Sequence, residues 1–294
     1  MKIRIGVGLG AAGASDDLGA IVCDMEQYGF DSLWLSEVLT TPVIDPLAGL
    51  AFAAGTVRKL KLGTTLAVPG RNPVRLAKEL ATLDQLSKGR LLLVMVPGLS
   101  DPREQEAIGV PMRERGRVID EVLPLLRRLW TEDNVSHASE HYTFNGLTIR
   151  PRPVQNPLEM WLGGTAPSAL RRAGQISDGW LPSLLTPAEA QSGRATIERS
   201  AAEAGREVDP EHFGVSLGYA RNEISERQRA QVARRRPNID PADLIPIGLD
   251  GLRHRLREFI DVGFSKFVVR PSDPPESWRT ELGTLAEAVL PLQT

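Results

Sequence analysis

Short β-rich segments and amphipathic helical segments alternate along almost the whole chain, and that alternation leaves few folds open. Ile3, Ile5 and Val7 read as a first strand, followed by glycines and small residues over 8–15. Asp16 or Asp17 caps a helix in which Leu18, Ile21, Val22, Met25 and Tyr28 recur at helical period, and Gly29 closes it. Further strands are predicted at 32–35, 60–66 and 91–96, separated by helices over 47–57 and 73–86. The strand at 91–96 is apolar throughout, as suits a strand buried on both faces. A helix over 114–130 leads to a polar segment around His137, His141 and Tyr142 that reads as a short β excursion. The second half repeats the rhythm, with strands at 160–162, 179–182, 213–220 and 266–269 and helices at 167–175, 187–204, 226–235 and 252–262. The pattern is that of an α/β fold with a parallel sheet. About eight strands in 294 residues match a (β/α)8 TIM barrel; a doubly wound open sheet is the alternative.

The segment over 150–183 is the most pointed chemically. A proline-broken loop enters the strand at 160–162, which ends on Gly163 and Gly164, and a helix opens behind Thr165 and Ala166 with Pro167 in its first turn. Two glycines between a strand end and a helix start leave backbone N–H groups uncovered, with the positive end of the helix dipole behind them. One reading is a seat for a phosphate or another anion. The other is a plain tight turn in which the glycines supply positive φ.

Net charge is −2, with 35 basic and 37 acidic residues mixed along the chain. A nucleic-acid partner would need a basic stripe, and none is present. The run from Arg234 to Arg236 is local and reads as a solvated loop or helix end. The single cysteine, Cys23, cannot form an internal disulfide, which fits a reducing, cytoplasmic setting. It lies in the apolar pattern of Ile21, Val22 and Met25 and reads as a small core residue. No stretch reaches membrane-spanning length, and no leader is read at the start of the chain, so the expectation is a soluble protein.

In a barrel, functional groups gather at the C-terminal ends of the strands. The rim so defined is short of acids, bases and nucleophiles, Glu37, Arg221 and Arg270 being its charged members. No Ser-His-Asp set is visible, and the four histidines are scattered. His137 and His141 are four apart in a polar stretch and read as surface residues. A rim of backbone and small residues with an anion seat suits a protein that binds a large planar cofactor and leaves the chemistry to it.

Several motifs then carry a resemblance over nearly the whole chain: GFDSLWLSE at 29–37, LGTTLAVPGRNPVRLAKELATLDQLSKGR at 62–90, RERGRVIDEVLPLLRRLW at 113–130, the QNP, Gly-Gly, ALRRAG and SDGW series over 155–180, and REFIDVGFSKFVVRP at 257–271. In this order they resemble the bacterial luciferase-like monooxygenase superfamily, and within it the actinobacterial branch that uses the deazaflavin coenzyme F420 rather than FMN. The resemblance implies one (β/α)8 barrel domain with insertions over 1–294, a homodimer, and hydride transfer between F420 and a small organic substrate. An FMN-dependent monooxygenase and a deazaflavin-binding protein without turnover are the alternatives.

The resemblance also implies site residues. Gly163 and Gly164 hold the cofactor phosphate, with Thr165 and Pro167 beside it. The third strand ends in a bulge, often with a non-proline cis peptide, at the position of Thr65 and Leu66. Val68, Pro97 and Gly98 line the ring and its ribityl chain. Glu37 faces the polar edge of the ring, either as a proton donor or as a structural acid bonded to backbone N–H groups. Arg71 faces an anion or forms a salt bridge. Two positions depart from the sugar-phosphate dehydrogenase branch: Val38 stands where that branch has a histidine, and Leu99 lies near the place of its glutamate. The segment over 221–247 falls at the family's most variable insertion and is expected to cover the mouth or stay mobile. The stripe Leu76, Leu80, Leu83 and Leu86 serves either a dimer contact or packing on the barrel.

Overall fold

The computed structural model describes residues 1–10 and 17–294. Its elements in order are β1 (Arg4–Gly8), α1 (Leu18–Tyr28), β2 (Ser32–Ser36), α2 (Pro46–Thr56), β3 (Lys61–Ala67), α3 (Pro73–Ser87), β4 (Leu91–Val96), α4 (Pro102–Ile108), α5 (Met112–Thr131), β5 (Val135–Ala138) and β6 (Thr143–Leu147). The second half holds β7 (Met160–Leu162), α6 (Pro167–Ile176), β8 (Gly179–Trp180), α7 (Pro187–Glu203), β9 (Gly214–Tyr219), α8 (Glu226–Arg235), α9 (Pro241–Leu244), α10 (Gly248–Asp261), β10 (Lys266–Pro271) and α11 (Trp278–Val289). A local rule recurs at the helix starts. Asp45, Asn72, Asp101, Thr186 and Asp240 each cap a helix through a side-chain oxygen, and each is followed by proline at the first helical position.

Eight strands lie parallel in the order β8-β7-β4-β3-β2-β1-β10-β9. The ring closes where Trp180 bridges Phe213 and Ser183 bridges Ser216. Closure rules out the open doubly wound sheet. Gly8, Gly10 and Gly13 do fall at the G-x-G-x-x-G spacing of a dinucleotide site, but a closed ring has no switch point at which such a site forms. β5 and β6 make a separate antiparallel hairpin, which is the excursion predicted around His137 and Tyr142.

Two apolar layers hold the barrel. The outer one joins strands to helices and includes Ile5, Val22, Leu33, Leu62, Leu80, Leu126 and Phe267. The inner one is a smaller cluster of Trp34, Val94, Leu181 and Val268, with Leu92, Val96 and Trp161 against it. Trp34 lies so close over Gly63 that a Cβ there would sit 2.3 Å from the indole, and Trp161 lies over Gly179 in the same way at 2.5 Å. These rings stand in the middle of the interior, and a cavity lined by Arg4, Asp31, Lys61, Glu159, His212 and Lys266 opens on their N-terminal side.

Some expectations change. Cys23 is exposed, because the buried stripe of α1 is Leu18, Ile21, Val22 and Met25 and Cys23 turns away from it at 100° per residue. The cis peptides among the described residues are Arg150–Pro151 and Asn156–Pro157. Thr65–Leu66 is therefore trans, since the β3 ladder to β4 runs unbroken through Thr65, Leu66 and Ala67. Leu76, Leu80 and Leu83 are buried against the barrel, and Leu86 alone of that stripe is exposed. Asp16 lies outside the described residues, and Asp17 makes the cap of α1.

The loop that delivers β7 is pinned by one buried carboxylate. Asp84 in α3 accepts from the backbone N–H groups of Val154 (2.7 Å) and Gln155 (2.9 Å) and from the Gln155 amide (2.7 Å). Its removal leaves buried donors without acceptors, each costing ~1–3 kcal/mol. Asp84→Ala is expected to lower unfolding stability by about 3 kcal/mol in urea denaturation, and an unchanged midpoint would refute the pinning role.

Candidate functional site

The C-terminal mouth of the barrel collects the predicted residues with a clear division between backbone and side chain. β7 ends at Leu162, and a Cβ at Gly163 would sit 3.0 Å from Val96 and 3.5 Å from the Leu181 carbonyl. Gly164 takes φ +94°, and its carbonyl accepts the Trp180 indole N–H at 2.9 Å. α6 then begins with Ala166 as N-cap and no side-chain cap bond. Gly164, Thr165, Ala166, Pro167 and Ser168 are all exposed. The first-turn N–H groups of a helix have no internal partner, so here they face solvent with the dipole behind them.

The neighbouring rim after β4 is shaped from below by Arg115, which is fully buried. Its guanidinium donates to the carbonyls of Val110 (2.8 Å), Pro97 (3.0 Å) and Leu99 (3.2 Å). Burial lowers its pKa and the nearby Glu104 raises it. Gly98 sits at φ +82°, and a Cβ there would be 2.5 Å from Ile108, so the Pro97–Gly98 turn keeps its backbone turned to the mouth. Glu104, buried at the start of α4, accepts from the Thr40 N–H and hydroxyl, both at 2.6 Å. Neither Arg115 nor Glu104 was singled out from the sequence. Helical position alone does not tell a buried arginine from a solvated one.

Glu37 is tied down. Its side chain is 4% exposed and ion-paired with Arg71, and its other oxygen accepts the Ala67 N–H at 2.8 Å. Arg71 donates in turn to the Ala67 carbonyl at 3.2 Å. The geometry is that of a structural acid clamping the end of β3, and Arg71 answers that acid rather than a free anion. Thr65 lies on the inward face of β3, two residues from Gly63. Leu66 and Val68 are completely buried in the outer core, so their side chains do not line the mouth, and only their backbone is near it.

The mouth has a cover. α8 is tied to three loops at the same end of the barrel. Gln228 donates to Asp273 beyond β10 at 2.6 Å. Arg236, just past the helix, bonds the Leu184 carbonyl beyond β8 and pairs with Glu189, and Arg234 reaches Asp101 beyond β4 at 3.6 Å. A small core of Ala220, Ile224, Val232, Leu244 and Ile245 stiffens the segment, which is the covering role expected for 221–247. Below it, Tyr219 and Arg221 both bond Glu281. Burial and then Glu281 push the Tyr219 hydroxyl pKa upward.

The histidines are elsewhere. His137 bonds Glu121 at 2.7 Å in the hairpin region, His212 stacks on Trp161 near the N-terminal end of the barrel, and His254 is on the surface of α10. Among the described residues no group of His, Cys, Asp and Glu is placed to hold a metal, and no helix is long and apolar enough to cross a membrane. The class so defined is a parallel barrel whose mouth presents backbone donors, small residues and a helix N-terminus under a helical cover.

The luciferase-like monooxygenase family model matches residues 1–262. The chain belongs to that family. It is 30% identical to an F420-dependent glucose-6-phosphate dehydrogenase of Nakamurella multipartita over 66% of this chain and 60% of that protein. With an FMNH(2)-dependent dimethylsulfone monooxygenase of Pseudomonas putida the identity is 31%, over 62% of this chain and 50% of the relative. The chain thus spans about half to three-fifths of the length of these curated relatives. In solved structures, the fold matches an F420-dependent secondary alcohol dehydrogenase in complex with an F420-acetone adduct, at TM-score 0.84, 17% identity and full coverage of both chains.

Arg71→Met leaves the buried Glu37 carboxylate with only the Ala67 N–H, and breaking one side of such a pair costs ~3–5 kcal/mol when both are buried. Since Arg71 keeps 24% exposure, about 2–3 kcal/mol is expected here, read as a lowered urea midpoint. Glu37→Gln should cost less, because a neutral amide oxygen still accepts the Ala67 N–H. Equal losses in the two variants would contradict the clamp.

Proposed function

We propose that the mouth binds coenzyme F420 and that the chain is an oxidoreductase passing a hydride between this deazaflavin and a small organic substrate. The observation that carries the reading is the uncapped, exposed N-terminus of α6 behind Gly163 and Gly164. It is supported by Thr165 and Pro167 at the same turn and by the F420-dependent proteins among the relatives. A phosphate at this turn meets backbone donors and the helix dipole without displacing any side chain. The inward faces of the strand ends, with Gly8, Ser36, Thr65, Ala67 and Gly163, leave space for a flat ring against backbone, with Pro97 and Gly98 at its margin.

When bound, the deazaflavin supplies a carbon that gives or takes a hydride; the matching proton passes to or from solvent or the substrate. This chain's part is to hold and orient. The α6 terminus anchors the phosphate, the Glu37–Arg71 clamp fixes the end of β3 beneath the ring, Arg115 sets the Pro97–Gly98 turn, and α8 restricts water. Glu37 as a catalytic acid requires that it leave Arg71, so the geometry favours its structural role. Val38 and Leu99 remove the acid–base pair of the sugar-phosphate branch, and the substrate is accordingly placed outside sugar phosphates.

FMN carries the same phosphate, and the sulfone monooxygenase relative keeps an FMN-dependent reaction as the second reading. We place the enzyme in the cytoplasm as a homodimer. Exposed Phe52 on α2 and Leu86 on α3 offer apolar surface on two packed helices.

Titration of the purified protein with F420 and with FMN, followed by fluorescence, tests the proposal. Micromolar or tighter F420 binding is expected. Thr165→Glu puts a carboxylate at the phosphate seat without backbone strain and should weaken it by roughly tenfold or more, while Thr165→Gln should not. Tight binding of FMN alone would transfer the chain to the monooxygenase reading, and binding of neither would end the proposal.

A further inference from the structure

A cavity opens at the end of the barrel away from the mouth. It measures about 280 Å³, close to the ~300 Å³ at which small-ligand sites begin. Its floor is apolar: Trp34, Leu92, Trp161, Leu181 and Val268 of the inner cluster all line it. Its wall is charged, for a reason the strands dictate. Inward positions recur every second residue, so Lys266 stands one step below Val268, Lys61 one step below Gly63, and Arg4 one step below Gly6. All three cations belong to the lining. Arg4 on β1 and Lys266 on β10 are register partners, and Lys61 on β3 pairs with Ser32 of β2. They therefore occupy one arc of four adjacent strands.

Three cations on this arc share two carboxylates at long range. One Asp31 oxygen serves both Arg4 and Lys61, at 3.6 and 3.3 Å, and Lys266 reaches Glu211 at 3.7 Å. These separations exceed the roughly 2.7–2.9 Å of a close charge-assisted bond. Arg4 also bonds the Thr294 main-chain oxygen, and Lys266 the Lys2 carbonyl and the Ser265 hydroxyl. Arg90, a fourth cation of the lining, is fully engaged by the carbonyls of Ser87, Leu60 and Ala54. Burial pushes the Lys266 ammonium down from its ordinary pKa, and Arg4 and Lys61 push the same way against Glu211 and Asp31. On the other wall, Glu159 accepts the Trp161 indole N–H at 3.0 Å and lies 3.6 Å from His212 Nε2. The Lys61 and Glu159 side chains keep 44% and 41% exposure, so the cavity is open to solvent rather than sealed.

We propose that this cavity binds a small aromatic monocarboxylate, its ring on the Trp34 and Trp161 floor and its carboxylate among Lys61, Lys266 and Arg4. The apolar floor calls for an apolar body, which sets the site apart from a seat for a bare inorganic anion. Indole rings favour a flat partner in offset or edge-to-face contact. Ammonium and guanidinium groups from neighbouring strands donate to both carboxylate oxygens. Glu159 across the cavity repels a second acid group, which restricts the ligand to one. The site lies at the opposite end of the strands from the α6 turn, and it stands or falls independently of the deazaflavin reading.

The test is calorimetric titration of the full chain with sodium benzoate at fixed ionic strength, set beside benzyl alcohol and benzamidine. One saturable benzoate site is expected, with benzyl alcohol and benzamidine roughly tenfold weaker or more. Lys61→Glu and Lys266→Gln should each weaken benzoate by roughly tenfold. Lys61→Glu, at a partly exposed position, remains informative if Lys266→Gln does not fold. Thr165→Glu, at the other end of the barrel, should leave benzoate affinity within about threefold, since charges so far apart are screened. Absence of a saturable benzoate site overturns the proposal, as does a site that neither lysine variant weakens. Preference for benzamidine also overturns it, because Glu159 rather than the cations then selects the ligand. Benzoate lost in Thr165→Glu but kept in Lys61→Glu would place the site at the mouth and refute the assignment.

Discussion

The barrel depends on two tryptophans set against glycine. Trp34 occupies the space that a side chain at Gly63 would need, Ser32 crowds Gly6, and Trp161 lies over Gly179. The two large rings share the inner layer with Val94, Leu181 and Val268, so fewer branched side chains are needed there than in the layered packing usual in such barrels. Toward the C-terminal end the inward positions carry the small residues Gly8, Ser36, Thr65, Ala67, Gly163 and Gly218. Plug and mouth are consequences of one distribution of residue size along the strands.

The loops at the mouth lie beyond the core, and polar braces hold them. Asp84 fixes the approach to β7, Arg115 gathers three carbonyls under the β4 rim, Glu104 ties the loop after β2 to α4, and Glu37 with Arg71 closes the end of β3. Each brace sets a buried charge against backbone groups, with side-chain partners at Glu37, Glu104 and Asp84. In that arrangement a charge-assisted hydrogen bond is worth most and its loss is costly. These braces set the phosphate turn and the rim rigidly enough to receive a flat ligand against main chain.

Much of this was legible in the residues. The strands at 91–96 and 160–162 match β4 and β7 to the residue, because apolar runs between glycine and proline signals leave little choice, and the polar helix at 226–235 matches α8 between its Ser225 cap and Pro237. α4 and α9 were not read, being short and polar, and α11 was passed over although Leu282, Leu285 and Val289 carry its stripe. Leu66 and Val68 show the harder limit. Period-two alternation says which residues share a face, not which face is inward. The family resemblance placed these positions by order along the chain, and three-dimensional closure turned their side chains into the outer core. The same ambiguity hides Arg270, whose inward direction follows only from its register with Gly218.

The charge balance of the mouth finally narrows what enters it. Its carboxylates are committed: Glu37 to Arg71 and Ala67, Glu104 to Thr40, Glu189 to Arg236 and the Thr186 N–H, and Glu281 to Tyr219 and Arg221. Beside these committed acids the exposed N-terminus of α6 keeps its first-turn N–H groups without an internal partner, with the helix dipole behind them. In a concave site with low-dielectric walls, residual charge of one sign acts on ligands far more strongly than the near-neutral charge of the whole chain suggests. A chain of net charge −2 therefore presents, at the α6 turn, a local site that favours anions.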